Sequence, residues 1–89
     1  MKDRERKPEI MDNILKILAL WDDEAQVWVA DSDDVPGLVA EADSIPALLA
    51  KLKVLVPEML AENGRAAPEN LEIPFELLAS IRAVASYAH

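Results

Sequence analysis

The stretch NILKILALWDDEAQVWVADSDDVPGLVAEADS, Asn13 to Ser44, decides the fold, because short apolar runs alternate in it with clusters of turn-forming carboxylates. Its first run, Asn13 to Trp21, sets Leu15, Ile17, Ala19 and Trp21 against Ile14, Lys16, Leu18 and Leu20 at the two-residue period of a strand. Both sets are largely apolar, which predicts a central strand covered on both faces. Asp22-Asp23-Glu24 supplies a polar turn. Ala25 to Ala30 then reads as a second strand, close enough in sequence to pair with the first as an antiparallel hairpin. Asp31 to Asp34 interrupts the pairing. Pro36-Gly37 suits a type II turn, proline presetting φ at one central position and glycine tolerating positive φ at the next. Gly37 to Ala42 forms a third short strand.

Beyond this stretch the period changes. Ser44 is placed to cap a helix, with Pro46 in its first turn. Ile45, Leu48, Leu49, Leu52, Leu55, Val56, Met59 and Leu60 recur at helical spacing and predict one broad core-facing stripe. Asn63-Gly64 marks the end of that helix. Pro57 lacks a backbone donor and predicts a kink, or a second short helix beginning near it. On the opposite side, Ala47, Ala50, Val54, Pro57 and Ala61 form a row of mostly small residues, which either admits another element closely or reflects alanine's helix propensity. After a loop over Arg65 to Asn70, Phe75, Leu77, Ala79, Ile81 and Ala83 alternate with Glu76, Leu78, Ser80, Arg82 and Val84. The alternation supports a fourth strand, although Glu76 to Val84 can also be written as a helix. The expected class is α+β, in the order β-β-β-α-β.

Eighty-nine residues, 52% of them apolar, make one small domain. The expected layout is a charged, disordered tail over residues 1–12 and a single domain over 13–89. The aromatic residues are only Trp21, Trp28, Phe75 and Tyr87, so aliphatic side chains and alanine must build the core. A chain of this size buries a modest share of its surface, which makes a homo-oligomer the expected state. The absence of cysteine removes disulfides, thiolate metal sites and a cysteine nucleophile, and fits a cytoplasmic location. No apolar run is long enough to span a membrane. Nine basic against seventeen acidic residues give a net charge of −8, and Lys2, Arg4, Arg6 and Lys7 all fall in the tail. Such a chain repels nucleic acid and anionic membrane and attracts a basic partner.

The hairpin, the D-V-P-G-L turn at Asp34–Leu38 and the A-D-S helix start at Ala42–Ser44 together resemble the N-terminal domain of HicB-type antitoxins. The nearer likeness is to a small HicB-like bacterial family of unknown function, in which a Pro-Glu pair late in the helix, like Pro57-Glu58, is also expected. The resemblance covers Leu15 to Gly64 well and the last strand more loosely. It implies a partial RNase H-like sheet with one helix packed on one face. It also implies, as a partner, a small basic mRNA interferase of the HicA type, inhibited by covering its nuclease surface. HicB antitoxins usually continue into a DNA-binding segment, which does not follow in these 89 residues, so operator binding is not carried over.

Chemistry has few candidates. His89 is the sole histidine, Gly37 and Gly64 are the only glycines, and no serine has a histidine beside it in a recognised arrangement. No catalytic or cofactor-binding residue is therefore assigned, and no enzyme is expected. Asp31, Asp33 and Asp34, and Asp22, Asp23 and Glu24, could gather a hard cation, but neither run has the ligand ladder and glycine of a calcium loop. They are read as solvated turn carboxylates; the alternatives to an antitoxin-type interaction module are a free-standing homo-oligomeric structural module without a toxin partner and, third, a metal-dependent nuclease or hydrolase. Trp21 and Trp28 could stack bases, which the charge opposes. The expected partner-binding set is Trp21 and Trp28 as apolar anchors, Asp22, Asp23, Asp31, Asp33 and Asp34 as a charged rim, and Val54 on the outer helix face. The partners this implies are a second copy of the chain and a small basic HicA-like protein.

Overall fold

A computed structural model describes residues 14–65 and 72–87. The expected tail, most of the loop after the helix, and His89 lie outside the described residues. The elements are β1 (Leu15–Asp22), β2 (Val27–Asp31), β3 (Val39–Ala42), α1 (Ile45–Glu62) and β4 (Phe75–Ser80). The class is α+β in the expected order. β2 and β3 begin a little later than their apolar runs, because Ala25, Gln26, Gly37 and Leu38 belong to turns, and β4 ends at Ser80, short of Val84.

The four strands form one sheet in the order β3-β2-β1-β4. β1 pairs antiparallel with β2, β2 pairs antiparallel with β3, and β4 returns parallel to β1. The register lines up Ala40, Ala30, Ala19 and Ala79 across all four strands. Small side chains in that row let the helix approach the sheet closely, and Ala19, Ala30 and Ala40 are buried beneath it.

The helix is capped as its sequence predicts. Ser44 is extended and its side chain accepts the Ala47 N–H at 3.2 Å. At the other end the Gly64 N–H donates to the Ala61 carbonyl and the Arg65 N–H to the Leu60 carbonyl, at 3.0 and 2.7 Å. Gly64 has φ +77°, so these bonds make a Schellman ending. Leu48, Leu52, Val56 and Leu60 are the stripe that α1 buries. Burying a leucine or valine side chain contributes about 1.5–3 kcal/mol, so this stripe with Ile17, Val35 and Leu38 is the main support of the fold. The second short helix offered near Pro57 does not form, and one helix runs from Ile45 to Glu62 with Pro57 inside it. Pro57 is exposed, and the carbonyl it leaves unpaired belongs to Lys53, also exposed and close to water.

One expectation about β1 is corrected. Ile17 and Ala19 are completely buried under α1, whereas Lys16, Leu18 and Leu20 point to the other face and are exposed. Among the described residues one helix packs on the sheet, and it covers one side.

Candidate interaction surface

The uncovered side of the sheet can be read from the register. Pairings Leu18–Leu78, Leu20–Val29 and Asp31–Val39 place these side chains on one face, opposite the helix. Leu18, Leu20, Leu78 and Val39 are 51%, 61%, 46% and 69% exposed, and Val29 is half-buried. Lys16, Glu41 and Glu76 belong to the same face by strand parity and stand around the apolar residues, while Asp31 sits between Leu18 and Val39 in their row. An apolar patch of this kind on an exposed sheet face is a candidate interaction surface.

The residues expected from the sequence do not converge there. Trp21 and Trp28 are directly opposite each other in the β1–β2 ladder, on the helix side, near the end where α1 begins. Their rings meet edge to face, with centroids 5.3 Å apart and planes at 63°. Trp28 packs against the core, and both rings are half-buried. They meet at one end of the domain on the helix side of the sheet, away from the open face.

Several of the carboxylates hold turns. Asp22 accepts the Glu24 and Ala25 N–H groups at 3.1 and 3.2 Å, forming an Asx-type turn at the hairpin. The Asp23 side chain accepts the Trp21 indole N–H at 3.2 Å and the Gln26 amide at 3.3 Å. Gln26 itself has φ +61°, and its side-chain amide donates to the Asp23 carbonyl at 2.7 Å. Asp34 accepts the Lys16 N–H at 2.9 Å, while Ser32 donates to the Lys16 carbonyl at 2.6 Å. Asp33 is exposed at the adjacent turn. Of the expected rim, Asp22 and Asp31 share the uncovered face by strand parity, and the Asp22 carboxylate is taken up by the hairpin turn.

The Val35–Leu38 turn is the type II turn expected. The Leu38 N–H donates to the Val35 carbonyl at 3.1 Å, and Gly37 has φ +86°. The far end of α1 holds this loop in place, since the Asn63 amide donates to the Pro36 carbonyl at 3.0 Å and Arg65 to the Asp34 carbonyl at 3.2 Å. Val54 lies on the outer helix face, beside Ala50, Lys51 and Leu55 around a shallow depression. That side of the molecule is remote from the uncovered sheet face. Ala47 is half-buried against the core, so the outer row is smaller than its sequence spacing suggests.

Among the described residues no group of three or more histidine or acidic side chains is placed to hold a metal ion. No described helix is long and apolar enough to cross a membrane. The residues that form the patch, Leu18, Leu20, Leu78 and Val39, are not among those the sequence singles out. A signal for them exists: two apolar sets in β1 need two covering layers, and only one helical stripe follows in the chain.

Among the described residues, a mixed four-stranded sheet with one helix on one side and an exposed apolar patch on the other defines a small α+β domain. Within that class the chain belongs to the family described as a domain of unknown function, DUF1902, whose model matches residues 14–88. It is similar to the crystal structure of hypothetical protein TTHA1013 from the extremely thermophilic bacterium Thermus thermophilus, at 53% identity and a TM-score of 0.61. That match covers 83% of this chain and 99% of the other. No curated protein matches the chain.

Proposed function

We propose that this chain is a protein-interaction module that docks a small basic protein on its uncovered sheet face, as an antitoxin-type inhibitor does. The observation that carries the reading is the apolar patch at Leu18, Leu20, Leu78 and Val39, with Asp31 set between Leu18 and Val39 and with Glu41 and Glu76 at its border. Leucines at the centre supply desolvation energy, and the acidic border, in a chain of net charge −8, steers a cationic partner toward them. The resemblance to HicB-type antitoxins supports a partner of the HicA class, a small basic mRNA interferase whose nuclease surface would be covered. Inhibition by occlusion needs no catalytic group on this chain.

The test is co-expression with each small basic protein found to be encoded next to this chain, followed by affinity capture. The expected result is a complex that weakens as salt rises and is lost in Leu20→Arg, which puts a positive charge at the patch centre. A complex indifferent to Leu20→Arg, or no complex with any neighbouring product, overturns this reading.

A further inference from the structure

We propose that two copies of this chain join through the stretch Ile81–Tyr87, which pairs antiparallel with its counterpart about a two-fold axis near Val84. The inference is independent of the docking role of the sheet face, which the pairing leaves open.

The starting observation is a strand pattern that outlasts its pairing. In β4, Phe75, Leu77 and Ala79 alternate with Glu76, Leu78 and Ser80, and β1 lies beside them up to the Leu20–Ser80 pair. The alternation then continues through Ile81, Ala83, Ala85 and Tyr87 on one side and Arg82, Val84 and Ser86 on the other. β1 has only Trp21 and Asp22 left before it turns into the hairpin, so no strand of the described residues runs beside this stretch. Its apolar side chains stand in water: Ile81, Val84 and Tyr87 are 61%, 94% and 104% exposed. A segment with strand periodicity and unpaired backbone groups is a template for another strand.

Several features select a second copy as that strand. An antiparallel pair centred on Val84 sets Ile81 opposite Tyr87, Arg82 opposite Ser86 and Ala83 opposite Ala85, so the stretch complements itself. Aromatic against β-branched is a favourable cross-strand pair, and the two Arg82 side chains are not brought opposite each other. A contact that matches itself closes as a two-fold dimer. The stretch carries no carboxylate, so two chains of net charge −8 meet there without opposing acids. The family model runs on to residue 88, so this stretch is part of the family domain.

Light scattering on the full chain should give twice the 9.8 kDa of one copy. A chain ending at Ser80, and the full-length Val84→Pro variant, should each give the mass of one copy while keeping the circular dichroism of the parent. Val84→Cys adds the sole thiol of the chain, and Cα atoms about 4.5–5.5 Å apart across an antiparallel pair suit a disulfide. Mild oxidation should then yield a linked dimer from Val84→Cys but not from Lys53→Cys on the outer helix face. A single-copy mass for the parent, a dimer that survives loss of the stretch, or equal crosslinking of the two cysteine variants overturns the proposal. None of these measurements involves the basic partner, so failure here and failure of the antitoxin reading are separate results.

Discussion

The Asp34 carboxylate accepts the backbone N–H of Lys16 at 2.9 Å, and so stands in for a paired strand beyond the last β1–β2 pair at Leu18–Asp31. Ser32 completes the arrangement by donating to the Lys16 carbonyl and accepting the Asp34 N–H. Asp34→Ala removes a charge-assisted bond and should cost about 1–2 kcal/mol. Asp34→Asn should recover part of the loss. Urea midpoints for the two variants check this; equal midpoints for Asp34→Ala and the parent would contradict it.

Gly37 answers to two constraints at once. Its φ of +86° is costly for any residue with a Cβ, and a Cβ there would meet the Met59 methyl at 2.9 Å. Gly37→Ala should destabilise by about 1–3 kcal/mol. In a Met59→Ala background the steric part should disappear while the conformational part remains. The coupling read from a double-mutant cycle distinguishes the two.

The two sides of the sheet should respond in opposite ways to substitution. Leu20→Arg, on the uncovered side, should shift stability by no more than about 0.5 kcal/mol. Leu52→Ala, packed against the covered side, should cost about 2–5 kcal/mol. Denaturant unfolding of both variants measures the contrast. A large loss in Leu20→Arg would mean that the patch is already buried, by another copy.

Ser44→Ala deletes the acceptor for the Ala47 N–H and should cost about 1 kcal/mol, with Ser44→Asp close to the parent. Thermal melts followed at the helix signal are the measurement.

The partner-binding residues are harder to find in the sequence than the elements. A run such as Asp31-Ser32-Asp33-Asp34 looks uniform, yet one member stands on the open face between Leu18 and Val39, one is exposed at a turn, and two clamp Lys16. Tryptophans draw notice as interface anchors by type alone. Here the shared parity of Trp21 with Ile17 and Ala19 turns both rings toward the helix. The leucines of the patch read as core in the sequence, because composition does not distinguish a buried face from one awaiting a partner.

The local elements were determined by the sequence itself: the strand alternation, the Pro36-Gly37 turn, the Ser44 cap and the Gly64 ending all act over a few residues, through sterics and nearby hydrogen bonds. Only the tertiary structure decided that β4 returns parallel to β1 and which apolar set of β1 meets the helix. It also decided that, among the described residues, Ile81–Tyr87 is left without a neighbouring strand. Those outcomes depend on residues far apart in the chain competing for the same surface, and a single helix can cover only one side of a sheet.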